Sequence, residues 1–138
     1  MTYDRLYVLF LYHFNVTEDY FECHEVMEQL WLEEGRPPLH QGLLQVAVGL
    51  YHHRNGNISG AIKLFTGGIQ KLELDPDAAI GIDLKGLLDR SRAYRDGLVE
   101  HGGHFPFAPF KIDITDPALQ EQVDRFIEHP PEPEEHER

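Results

Sequence analysis

Apolar residues in this chain return at intervals of three and four, and alternating strand patterns are essentially absent, so its regular structure must be built from amphipathic helices. Leu6, Leu9, Phe10 and Phe14 carry the first stripe; Thr2 is its expected cap, with the helix reaching about residue 13 and Asn15 ending it. Thr17 is expected to cap a second helix to about residue 34, with Glu18 and Asp19 in the first turn, where the helix dipole favours acids, and Gly35 as its stop. Pro37 and Pro38 suit the opening of a third helix carrying Leu39, Leu43, Leu44, Val46, Ala47, Leu50 and Tyr51, broken by Asn55, Gly56 and Asn57. A fourth helix over about 59–74 places Ile62, Phe65, Ile69 and Leu72 on one side before Asp75 and Pro76. Asp83 caps a fifth, with Leu84, Leu87, Leu88, Tyr94 and Leu98 as its stripe and Gly102 and Gly103 at its end. Residues 104–113, rich in Pro and Phe, read as an extended wrap, and Asp116 followed by Pro117 starts a last helix to about residue 128. The expected fold is all-α: a compact multihelical bundle of about five to six helices with antiparallel helical hairpins. Residues 1–128 form a single helical domain, and 129–138 an acidic Pro/Glu tail expected to be disordered.

One core is enough for 138 residues of which 41% are hydrophobic. No stretch approaches the roughly 20 apolar residues of a membrane span, and the segment 6–14 lacks the basic flank and cleavage site of a leader. The chain therefore reads as soluble and cytoplasmic, without a membrane partner. Its formal charge is -12, with 24 acids against 12 basic residues, of which only Lys63, Lys71, Lys85 and Lys111 are lysines. Such a surface repels a phosphate backbone, so nucleic acid is not expected as a partner. Acid-rich, lysine-poor surfaces are also those of proteins adapted to high salt, where screening suppresses self-repulsion, and an ordinary solubilising surface looks the same. Cys23 is the sole cysteine, which rules out an intrachain disulfide and suits a core position.

The second helix carries the most distinctive polar set. His24, Glu28 and Trp31 fall at i, i+4 and i+7 on one stripe, with Glu25 beside Glu28. On the third helix Gln41, Gln45 and His52 lie close to one line, and the short connection at 35–38 makes the two helices antiparallel neighbours. Folding about that turn sets His24 opposite Val48 and Glu28 opposite the Leu44 and Gln45 region. The expected pocket thus comprises His24, Glu25, Glu28, Trp31, Gln41, Gln45 and His52. Three uses are open: a hydrogen-bonded network that fixes helix register; a divalent-metal site using His24, Glu28 and His52; or hydrolase-like acid–base chemistry at the His24/Glu25/Glu28 cluster. Neither HExxH nor the Glu-x-x-His pair of di-iron bundles is present. His53 and Arg54 are expected to cap the third helix, His13 and His40 lie near helix ends, and His101 and His104 flank a glycine pair.

The run His24-Glu25-Val26-Met27-Glu28-Gln29-Leu30-Trp31, with Gln41-Gly42-Leu43-Leu44-Gln45-Val46-Ala47 after it, resembles the HExxExxW and QGLIQxA motifs of domain-of-unknown-function family 309. The resemblance extends over about 14–74, through Phe14, Asn15, Tyr20, Tyr51, His52, Gly56, Asn57, Gly60 and Ala61. It implies a multihelical fold and transfers no activity, cofactor or substrate. A fainter likeness is to a tetratricopeptide-type hairpin, with Gly49, Ala61, Phe65 and Gly68 at its small and aromatic positions, and this keeps a protein-interaction scaffold or homo-oligomer open. The chain therefore reads as a small helical protein of undetermined activity, with metal-binding enzyme and interaction scaffold as alternatives.

Overall fold

The computed structural model describes residues 2–132, within which six α-helices follow one another: α1 (Arg5–Tyr12), α2 (Tyr20–Glu33), α3 (Pro38–Arg54), α4 (Ile58–Leu72), α5 (Leu84–His101) and α6 (Pro117–Glu128). The all-α expectation holds among them; the one β feature is an isolated antiparallel bridge between Ile82 and Ile114. The outermost tail, 133–138, lies outside the described residues.

Several helix ends differ from those expected, each for a local hydrogen-bonding reason. Asp4, not Thr2, caps α1 by accepting from the Leu6 N–H. The chain then does not stop at Asn15 but widens into a π turn (His13–Thr17) closed by Glu18 in the left-handed region. Asp19 caps α2 in place of Thr17, and Asn57 caps α4 through the Gly60 N–H, two residues before the expected start. In each case the acceptor used is the one whose side chain reaches the second or third N–H of the helix. α4 ends at Leu72 rather than 74.

α1 is buried on all sides: Tyr7 through Tyr12 are all core residues. Its sequence VLFLY is apolar around the whole circumference, so the helix sits in the middle of the fold, between α2 and α6. α3 is flanked by α2 and α4, its two most extensive partners. Its packing on α4 is glycine-mediated. A Cβ at Gly42 would lie 3.1 Å from the Gly68 carbonyl oxygen, one at Gly68 would lie 3.0 Å from the Gly42 carbonyl oxygen, and one at Gly49 would lie 2.8 Å from the Phe65 ring. Small residues at these crossings let the two backbones approach directly.

The wrap at 104–113 opens with one short 3-10 turn, Gly102–His104, and then runs irregularly back over the core. Asn15 holds it from both directions, its Nδ2 donating to the Ile112 carbonyl at 2.8 Å and its Oδ1 accepting the Ile112 N–H at 2.9 Å. His53, expected as a helix cap, is instead buried at 7% exposure, with Nδ1 2.5 Å from the Tyr94 hydroxyl and Nε2 3.1 Å from the Phe105 carbonyl. The neutral tautomer that satisfies both contacts accepts from Tyr94 and donates to Phe105. Arg54 leaves the helix end as well, lying over the Tyr20 ring and donating to the Glu18 carbonyl.

Gly49→Ala should lose about 1–3 kcal/mol, because the clash with Phe65 outweighs the roughly 1 kcal/mol helix-propensity gain of alanine. Urea unfolding measures it, with Gly103→Ala, where a Cβ meets nothing within 4 Å, as the control.

Candidate functional site

The α2–α3 turn determines which side chains can meet. Gly35 and Arg36 both have positive φ, 82° and 65°, and the Arg36 N–H donates to the Trp31 carbonyl at 2.7 Å. The Arg36 guanidinium sits 5.6 Å from the centroid of the Trp31 ring. Trp31 is thus part of the turn that reverses the chain, and its Nε1 is buried without a hydrogen-bond partner.

Above that turn, α2 and α3 enclose a groove of about 160 Å³ lined by Tyr20, Phe21, His24, Val48, Tyr51 and His52. His24 does lie across from Val48, and His52 shares the groove with it. The walls are otherwise aromatic and aliphatic: the Phe21 and Tyr51 rings stand 6.1 Å apart, Phe21 is 41% exposed, and the Tyr20 hydroxyl is buried with no hydrogen-bond partner. Burial pushes the Tyr20 phenol well above its ordinary range, so it stays protonated.

The polar residues of the motif divide. His24 Nε2 is 3.0 Å from Glu28 Oε2, and His24 Nδ1 is 3.8 Å from Glu25 Oε1, so these three gather on one turn of α2. The His24 and Glu28 side chains are 34% and 49% exposed, which makes this a surface pair. Gln45 turns the other way and accepts from Lys71 Nζ of α4 at 3.1 Å. His52 Nδ1 is 3.4 Å from the Asn57 amide nitrogen, and Gln41 is half-buried on α3. Among the described residues no three His, Cys, Asp or Glu side chains form a set that could hold a metal ion. Cys23 is fully buried, its Sγ 3.6 Å from the Phe10 carbonyl oxygen, and desolvation drives its thiol strongly upward, away from the thiolate.

A second cavity, of about 210 Å³, lies where the start of α1, the end of α2, the start of α3 and the loop before α5 meet. Tyr3, Asp4, Glu34 and His40 supply its polar groups and Leu30, Leu39 and Leu43 its apolar wall. The motifs do not point to it, because its residues come from four separate segments. One local signal does exist: His40 stands three residues before Leu43 and four before Leu44, on the stripe that α3 buries. His40 is 18% exposed, its Nε2 3.7 Å from Glu34 Oε2 and its Nδ1 buried without a partner. Burial lowers its pKa, and the Glu34 and Asp4 charges oppose that shift only in part.

Glu28→Gln should change stability by no more than about 0.2–1 kcal/mol, the range of an exposed pair. His53→Phe should cost about 1–3 kcal/mol by leaving the Tyr94 O–H without its acceptor and the Phe105 carbonyl without its donor, as read from urea midpoints. His13 and His40 are both held below the ordinary 6.5, chiefly by burial, so below that pH the unfolded chain binds protons that the folded chain resists. Stability is then fully present above about pH 6.5 and falls as pH drops toward the folded-state values; His40→Gln should flatten the slope of unfolding free energy between pH 7.5 and 5.5.

Residues 7–64 match the family model described as a domain of unknown function, DUF309. The chain is also similar to the uncharacterized protein YpuF of Bacillus subtilis (strain 168), at 39% identity over 94 residues, covering 63% of this chain and 53% of that protein. The matched part thus spans about half the length of that relative. No solved structure matches the chain. Residues 7–64, the part similar to that family model, hold most of α1, all of α2 and α3, both sequence motifs and the whole lining of the α2–α3 groove.

Proposed function

We propose that this domain is a docking module whose α2–α3 groove receives an apolar side chain from a basic segment of a partner protein. The observation that carries the reading is the groove itself, with Tyr20, Phe21, Val48 and Tyr51 as its walls and only His24 and His52 as polar lining. Aromatic pockets of this kind take a single anchoring side chain, and a few such anchors dominate binding energy. The sign of the partner follows from the charge: Glu22, Glu25 and Glu28 project from the same helix, and the chain as a whole carries -12. The same repulsion disfavours nucleic acid. In this reading the helices from 5 to 128 act as one unit in the cytoplasm, where the lone thiol stays reduced.

A second reading gives the His24/Glu25/Glu28 cluster a divalent cation or an acid–base task. Its support is the 3.0 Å His24–Glu28 contact, and it needs a third ligand from a partner or substrate. Zinc binding seen by calorimetry in the native chain and lost in His24→Ala would favour it.

The docking reading is tested with two fluorescent amphipathic peptides of identical apolar residues, one with lysines and one with glutamates on the polar face. The basic peptide should bind with an affinity that falls as salt rises, and Phe21→Ala or Val48→Arg should weaken it about tenfold or more. Equal binding of the acidic peptide, or undiminished binding by both variants, overturns the reading. Sedimentation of the native chain separates docking of a partner from docking of a second copy.

A further inference from the structure

The cavity at the α1, α2 and α3 junction has a chemical bias of its own. Its two phenols are already committed as donors: the Tyr3 hydroxyl donates to Asp116 Oδ2 and the Tyr7 hydroxyl to the Ile80 carbonyl at 2.8 Å. The other polar side chains that line it are acceptors. Glu34 is a carboxylate at the end of α2, and Asp4 spends one oxygen on the Leu6 N–H. With His40 neutral and its proton on Nε2 toward Glu34, the buried Nδ1 carries a lone pair with no partner. Opposite these acceptors stand Leu30, Leu39 and Leu43.

We propose that this cavity binds an alkylammonium group, a cationic amine on an apolar stem. An ammonium offers three donors and no acceptor, which matches a wall of two carboxylates and one imidazole lone pair. The stem takes the leucine side, and the faces of Tyr3 and Tyr7 are suited to a cation by their ring quadrupoles. A carboxylate or phosphate ligand would meet like charge from Asp4 and Glu34. At about 210 Å³ the cavity is smaller than the roughly 300 Å³ at which drug-sized sites begin, so the occupant is a small amine or the tip of a lysine side chain. None of the groove residues of α2 and α3 that serve docking lines this cavity, so the two proposals stand or fall separately.

Nitrogen-15 amide spectra of the native chain at constant ionic strength and pH 7.5 test it, with n-butylamine, butyrate and a blocked lysine (N-acetyl-lysine methylamide) as probes. Butylamine should move the amides of residues 39–43 and 79–80 saturably, Glu34→Gln should weaken it about tenfold, and Phe21→Ala should leave it unchanged. Tighter binding of blocked lysine assigns the occupant to a protein side chain, and tighter binding of butylamine to a free amine. Butyrate moving the same amides as strongly, Glu34→Gln binding without loss, or no saturable shift with either amine would overturn the proposal.

Discussion

The close approach of α3 to α4 at glycine is the contact on which the remaining geometry depends. Gly42 and Gly68 bring each other's carbonyl within van der Waals reach, and Gly49 makes room for the Phe65 ring, so the two helices meet backbone to backbone at one crossing and backbone to ring at the other. That contact uses one side of α3. It leaves the opposite side for α2, which sets the width of the groove between Phe21 and Tyr51, and it draws Gln45 toward Lys71 and away from Glu28. It also holds the last turn of α3 against α5, where His53 meets Tyr94. Interiors are close-packed, so a shift at the glycines would be felt at each of these places.

Two histidines illustrate how burial changes what the same side chain does. His24 sits in a conspicuous motif, pairs with Glu28 and remains a third exposed; solvent competes for both partners, and the pair holds little of the structure together. His53 has no motif around it beyond a neighbouring histidine, yet it is enclosed by Tyr94, Phe105 and Phe107 and bonded at both nitrogens. With Asn15 it fixes the return of the chain over the core, since each binds backbone groups of a segment that has no helix or sheet to satisfy them. A buried, fully satisfied polar group specifies structure more strongly than an exposed pair of equal geometry.

The helices were legible because apolar spacing, capping side chains and breakers are local. Asp83, Asp116 and Pro38 act where their sequence context puts them, and the buried Cys23 follows from its place on the α2 stripe. The cap positions that moved, from Thr2 to Asp4 and from Thr17 to Asp19, did so within two residues, among neighbouring acceptors that compete for the same N–H groups. Of the polar set on α2 and α3, the opposition of His24 and Val48 was legible from the short turn, because antiparallel neighbours pair by counting from it. The direction of Gln45 was not. Its position faces the seam between two neighbours, and Lys71 on α4 decides between them.

Sequence by itself determined the helix count, the all-α class, the α2–α3 hairpin and the two motifs that mark residues 7–64, because each rests on interactions within a few residues or on a periodicity. Tertiary structure decided what those residues face. It turned Trp31 into a turn anchor under Arg36, closed an aromatic groove around His24 and His52, drew His53 into the core, and assembled Tyr3, Asp4, Glu34 and His40 into one cavity from segments far apart in the chain. The physical reason is that periodicity says which face of a helix is buried, whereas the neighbour that buries it is chosen by packing among helices distant in sequence.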